Sequence, residues 1–245
     1  MPVIALQGIC EGTGVTSITA GLAWALHTLG ETVLTIDLSK NNMLRLQFNT
    51  PFDHPQGWAR SLIDGKPWQN STLKYRDSLD YLPFGTLSIE EAIELENTLH
   101  GESDFWPMAL RALLRSEKYQ WILVDTGSAS SFFSQQAHDL ADRLFVLLNP
   151  NANCQVRIHQ QDIPEQANLL INKYNPVSTI QSDLHRLWIE TLPNAMDLLI
   201  HQDEALAESP AKKQPVGQYS PDSLAAQELI SLANWCLINA SEPLP

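Results

Sequence analysis

The sequence predicts an α/β fold, a mostly parallel sheet flanked by helices. Short apolar runs alternate with helical patterns along all 245 residues. Within those runs apolar residues do not alternate with polar ones, which is the signature of strands covered on both faces. A glycine-bearing turn joins the first run to the first helical pattern, at the end of a strand where α/β sheets hold ligands.

The elements follow in order. Val3 to Gln7 reads as a strand. Thr16 to Leu29 reads as a helix, with Ile18, Leu22, Ala25, Leu26 and Leu29 at helical spacing and Gly30 as its stop. Thr32 to Asp37 is a second strand, and Leu79 to Phe84 a weaker third one interrupted by Pro83. Trp121 to Asp125 is the strongest strand, followed by Leu144 to Leu148, Asn168 to Asn172 and a short Leu198 to Ile200. Ser223 to Ile238 closes the chain as an amphipathic helix whose core side carries Leu224, Leu229, Leu232, Cys236 and Leu237. The Pro-, Gly- and Trp-rich stretch from Thr50 to Trp68 and the helical stretch from Ser88 to Glu117 read as insertions between strands. The expected organisation is one domain over residues 1–240, with 241–245 a frayed tail. Trp24 and Trp235 fall in helical patterns and read as core residues.

Composition narrows the function classes. Lys plus Arg number 15 against 28 Asp plus Glu, a formal net charge of −13, and the first lysine is Lys40. A protein that grips nucleic acid or anionic lipid by bulk electrostatics needs a basic face, so neither partner is expected. Hydrophobic residues make up 44%, enough for a full core, which excludes a disordered chain. Cys10, Cys154 and Cys236 are an odd set without CxxC spacing, so neither a disulfide framework nor a zinc site is indicated. Three scattered thiols suit a reducing cytosol. The first residues lack the basic region of a secretory signal, and no apolar run reaches the ~18–20 residues that span a bilayer. The expectation is a cytoplasmic protein without direct membrane insertion.

The chemistry concentrates at Gly8-Ile9-Cys10-Glu11-Gly12-Thr13-Gly14-Val15-Thr16-Ser17. A glycine turn between strand and helix aims backbone N–H groups at one point, and the helix N-terminus adds partial positive charge. A Thr or Ser on the first helical turn can ligate magnesium bridging phosphates. The usual P-loop carries a lysine after its last glycine. Here Gly14 is followed by Val15, and Glu11 stands where a glycine is usual, an acid that repels a triphosphate if it faces inward. A turn that no longer binds anything is the alternative. Asp37 and Asp125 end two strands, where carboxylates beside such a loop hold a magnesium shell. Asn172 ends a further strand and reads either as a partner for a purine edge or as a turn residue.

Together these residues resemble the MinD/ParA branch of P-loop ATPases. Within it they are most similar to the cellulose biosynthesis BcsQ (YhjQ) family. The resemblance runs nearly the whole chain. Its carriers are Leu6-Gln7-Gly8, Thr16 to Trp24, Asn41 to Leu46, Gln56-Gly57-Trp58-Ala59-Arg60, Leu82-Pro83-Phe84-Gly85, Tyr119 to Leu123, Asn151 to Cys154, Arg157 to Gln161 and Leu199 to Ala205. It implies a MinD/ParA-like P-loop NTPase fold with a sheet of seven or eight strands, and homodimers that sandwich two ATP molecules. It also implies a regulatory or assembly role in the bacterial cellulose synthase machinery at the inner membrane. The partners it implies are a BcsR-like small protein and a BcsE-like cyclic-di-GMP-binding protein. Members of this branch also tend to lack the P-loop lysines.

Carried over by position, Gly12, Thr13, Gly14, Val15, Thr16 and Ser17 match the nucleotide-binding loop. Thr16 and Asp125 take the magnesium places, and Asp37 matches the first acid of the switch strand, a catalytic position. Arg157 matches a basic residue that reaches a phosphate or a partner, or is a plain surface arginine. The family's second switch acid is Ser39 here. Phosphoryl transfer relies on positive charge over the equatorial oxygens and a positioned water. Losing one well-placed donor costs ~10²–10³ in rate. The resemblance therefore implies ATP and Mg²⁺ bound with slow or no hydrolysis. A nucleotide-independent scaffold and a ParA-type partitioning ATPase are the competing readings, and the net charge weighs against the latter.

Overall fold

The computed structural model describes residues 2–100, 105–128 and 132–239. Eight strands form one sheet: β1 (Val3–Gly8), β2 (Val33–Asp37), β3 (Leu73–Arg76), β4 (Leu79–Leu82), β5 (Trp121–Asp125), β6 (Arg143–Leu148), β7 (Asn168–Tyr174) and β8 (Ala195–His201). Their order is β3-β4-β2-β5-β1-β6-β7-β8, and every neighbouring pair is parallel except β3 with β4. Among the described residues ten α-helices accompany it: α1 (Val15–Thr28), α2 (Trp58–Ile63), α3 (Ile89–His100), α4 (Phe105–Arg115), α5 (Phe132–His138), α6 (Ala152–Ile158), α7 (Thr179–Thr191), α8 (Glu204–Glu208), α9 (Val216–Tyr219) and α10 (Leu224–Asn239).

The two-residue period of a strand decides which helix each side chain meets. On β1, Ile4 and Leu6 join the core under α1 and α10, while Val3 and Ala5 point to the opposite face. There, α2 to α5 cover one half of the sheet around Trp58 and Trp106, and α6 and α7 cover the other half around Cys154 and Trp188. Five of the six β1 residues are fully buried, which is why its sequence shows no polar alternation. The α1–α10 contact depends on Gly21. A Cβ there would lie 2.5 Å from Leu229 Cδ1, so any larger residue would force the Leu229 side chain to move.

Several expected elements shift. β4 stops at Leu82 because Pro83 has no N–H for the ladder. β8 runs from Ala195 to His201, longer than Leu198 to Ile200. It is an edge strand whose exposed Asp197 interrupts the apolar run. β3 was not expected. It is a four-residue antiparallel edge in which Leu73 and Tyr75 pack on the core while Lys74 and Arg76 are exposed. Leu224 was expected on the core side of the closing helix and is instead 48% exposed, one position off the buried stripe of Ala225, Leu229, Leu232 and Cys236. Trp24 and Trp235 pack partly buried against the α1–α10 core. The stretch from Ser88 to Glu117 holds α3 and α4. The expected tail, 241–245, and residue 240 lie outside the described residues.

Candidate functional site

The strand order places β1 beside β6, and the chain runs from β1 to β2 on one side of the sheet but from β6 to β7 on the other. That is a topological switch point, and the crevice beyond the strand ends there is the natural ligand site. The turn from Gly8 to Gly14 fills it. Gly12 and Gly14 have φ of 79° and 93°, left-handed values that glycine adopts without strain. Gly14 occupies the cap position of α1, and no side chain caps that end. The first-turn amides of α1 have no partner within the helix, which leaves them for an anion.

The loop is held from beneath. The Thr13 hydroxyl donates to the Cys10 carbonyl at 3.1 Å, and Thr13 is buried. Asn172 Nδ2 donates to the Thr13 carbonyl at 2.7 Å. A Cβ on Gly14 would come within 2.5 Å of that same amide, so the cradle closes only around glycine. Asn172 is thus a strut of the loop. Two residues to which the sequence assigns no role join it: Lys173 Nζ donates to the Gly12 carbonyl at 2.7 Å, and Asn149 Nδ2 donates to the same oxygen at 3.2 Å. The loop carries no lysine of its own, yet Lys173 brings an ammonium to it from the end of β7.

Asp37 and Asp125 sit directly opposite each other in the β2–β5 register. The strand period aims both toward the α1 face, with Val33 and Leu123. Both are fully buried, and burial raises both carboxyl pKa values; the Asp125 charge raises that of Asp37 further. Asp37 is satisfied, accepting from Ser39 N at 2.9 Å and from Leu44 N at 3.1 Å. Asp125 is satisfied on one side only. Its Oδ1 accepts from Gly127 N at 2.9 Å, while its Oδ2 has no hydrogen-bond partner among the described residues. The Thr16 side chain faces the carboxyl as a donor and opposes part of the Asp125 pKa rise, although it does not close a hydrogen bond to Oδ2. A buried carboxylate oxygen without a donor is costly, and a cation is the group that would satisfy it. The donor set of Thr16 and Asp125, hard oxygens beside an anion cradle, suits magnesium.

Two adjoining cavities open here. One of about 520 Å³ is lined by the loop from Glu11 to Ser17, by Ser39, Asn41 and Gln47, and by Gly127. The other, about 480 Å³, shares Gly14 and Ser17 with it and extends past Asn149, Asn172 and Lys173 to His201, Gln202 and Asp203. All six loop positions expected to bind nucleotide line the first cavity, and Asn172 lines the second. Glu11 lines the first as well, although its side chain is exposed. Arg157 is exposed on the last turn of α6 and lines neither cavity. His201 lines the second cavity, with Nδ1 held 2.5 Å from Glu228. Isolated residues such as His201 and Asn149 gave no spacing signal. Lys173 does follow Asn172 at a strand end, and that adjacency was the one available clue.

A mostly parallel eight-stranded sheet with a glycine loop at its switch point defines the MinD/ParA class of P-loop NTPase folds. The MinD protein of Pyrococcus horikoshii complexed with Mg-ADP superposes with a TM-score of 0.72 at 19% identity, covering 99% of each chain. Cobyrinic acid a,c-diamide synthase from Mycobacterium smegmatis, with a bound ATP analogue and magnesium, superposes at 0.73 with 16% identity over 100% of this chain and 98% of that one. The cellulose biosynthesis protein BcsQ of Escherichia coli is 46% identical over 243 residues, 98% of this chain and 96% of its own. Residues 1–237 match the family described as cellulose biosynthesis protein BcsQ, and the chain belongs to that family.

Proposed function

We propose that this protein binds ATP with Mg²⁺ across the two cavities and acts as a nucleotide-dependent homodimeric subunit that regulates or assembles the bacterial cellulose synthase machinery. The observation that carries the nucleotide reading is the unpartnered Asp125 Oδ2 beside Thr16, under a glycine loop whose helix has no side-chain cap. Backbone amides from Gly12 to Ser17 would cradle the phosphates, and the cavity running to His201 would take the base and sugar. Magnesium, when bound, would supply charge neutralisation between phosphate oxygens. Thr16 and Asp125 would hold it, and Asp37 would keep the switch backbone in place through Ser39 and Leu44. Membership of the BcsQ family supports the cellulose assignment.

Turnover is expected to be slow. Ser39 offers no carboxylate to orient water, and no lysine stands in the loop itself. Lys173 offers an ammonium, but its bond to the Gly12 carbonyl ties it to the protein. Calorimetry with ATP and magnesium tests the reading. Binding is expected for the native protein, with losses on the order of tenfold or more in Thr16→Ala and Asp125→Ala. Affinity unchanged in both variants would remove the site, and phosphate release at the rate of ordinary MinD-type ATPases would remove the slow-turnover part. Glu11 on the cavity wall favours a second reading, a scaffold that binds partners without nucleotide. It predicts no heat of ATP binding while partner capture persists.

A further inference from the structure

The loop carries a feature that neither nucleotide binding nor cellulose assembly uses. Cys10 Sγ, in the turn, lies 3.4 Å from Cys154 Sγ on the first turn of α6. A disulfide holds its sulfurs roughly 2.05 Å apart, so little more than an ångström separates contact from bond. Cys10 is half-buried and reachable from solvent, whereas Cys154 is fully buried. Cys236, the third thiol, is buried in the α1–α10 core on the opposite side of the sheet. The pair also grips the loop from both ends. The Cys10 carbonyl accepts the Thr13 hydroxyl, and Cys154 Sγ accepts from Asn149 N at 3.4 Å. Asn149 in turn donates to the Gly12 carbonyl. Asn151 caps α6 by accepting from Cys154 N at 2.9 Å, which fixes the buried partner.

We propose that Cys10 and Cys154 are a reversible oxidation site, closing to a disulfide in response to peroxide and thereby gating the glycine loop. The accessible Cys10 sulfur attacks the peroxide O–O bond, giving a sulfenic acid and releasing one water. The Cys154 sulfur then attacks the sulfenic sulfur. The S–S bond forms as the S–O bond breaks, and the hydroxyl leaves with the Cys154 proton as a second water. Peroxide gains two electrons and the two thiols lose them; a dithiol reductant reverses the change by exchange. Burial pushes the Cys154 thiol up to about 12, consistent with oxidation starting at Cys10. Transient disulfides of this kind are the form that cysteine pairs take in reducing compartments. The bridge would fix the backbone two residues before Gly12, so the loop could no longer settle around phosphates. The bridge stands on the two sulfurs alone; its effect as a gate rests on the nucleotide reading above.

The test treats the full chain with hydrogen peroxide and maps its thiols by mass spectrometry. The expected product is lighter by two hydrogen atoms, yields one linked Cys10–Cys154 peptide pair, and reverts with dithiothreitol. Cys10→Ser and Cys154→Ala should give no such pair; Cys10→Ser, at a half-buried position, serves if the buried variant does not fold. Stable sulfinic acid at Cys10, or linkage only between chains, would overturn the site. ATP–Mg²⁺ titration of the oxidised and reduced forms then reads the gate, with affinity expected to fall at least about tenfold on oxidation and return on reduction. Equal affinities would overturn the gate. A reduced protein that binds no ATP would remove the gate together with the nucleotide reading, and leave the bridge in place.

Discussion

Asp125 shows how much one unsatisfied oxygen can decide. A charge on Asp125 is buried beside Asp37, which costs the fold stability. Asp125→Asn keeps the carbonyl oxygen that Gly127 N needs and removes the charge. In the absence of metal and nucleotide this variant should therefore be more stable by about 1–2 kcal/mol at neutral pH. The sign with pH follows from the raised pKa. Below the ordinary carboxylate value the group is neutral in both folded and unfolded chains, and the advantage of the asparagine vanishes. As pH rises through the raised folded pKa, the native protein loses that stability and the gap opens. Urea unfolding of both proteins with chelator at about pH 4.5 and about pH 7.5 reads it; a gap that closes with rising pH would contradict the buried-charge account. Asp37→Asn should give no such gain, because both Asp37 oxygens accept backbone N–H groups and an amide would face one of them with a donor.

The elements divide into those whose sequence states their environment and those whose environment arrives from elsewhere. β1, β5 and β6 are apolar nearly throughout because both faces are covered, and that is visible in the residues themselves. β3 is four residues of half-buried edge, too short for alternation to stand out. The acids at the ends of β2 and β5 were legible, since a carboxylate closing an apolar strand has few structural uses. Lys173 and Asn149 were not, because they meet Gly12 only after β6 and β7 pair beside β1. The α1–α10 pair belongs to the same scale. Leu229 is fully buried against Gly21, so Leu229→Ala should cost about 2–4 kcal/mol, measured by chemical denaturation. A loss below about 1 kcal/mol would mean that α10 is not fixed to α1 as described.

For the whole molecule the question is charge. The net of −13 is sharpened by how the cations are used. Lys40, Arg60, Lys66, Lys74, Lys118 and Arg186 each meet a carboxylate of the same chain. These six of the 15 cations are thereby partly neutralised, which lowers further the positive charge from which a polyanion could release counterions. No shift of non-specific duplex DNA is expected at physiological salt with or without ATP, and a salt-sensitive shift would restore the partitioning reading. Among the described residues no helix is long and apolar enough to cross a membrane. Light scattering with and without ATP tests the proposed homodimer: a mass that doubles only with nucleotide supports it, and an unchanged monomer excludes it.

The Trp58 indole has a consequence of a different kind. It donates to the Asp37 carbonyl at 2.7 Å from the centre of an aromatic cluster with Phe84, Trp106 and Phe133. A chromophore is thereby wired to the backbone of the strand end whose acid faces the site. Any displacement of that carbonyl alters the field along the indole and hence the colour and yield of its emission. Trp58 is one of seven tryptophans, so the part of the emission that Trp58→Phe removes is an optical gauge of the end of β2, read without attaching a label.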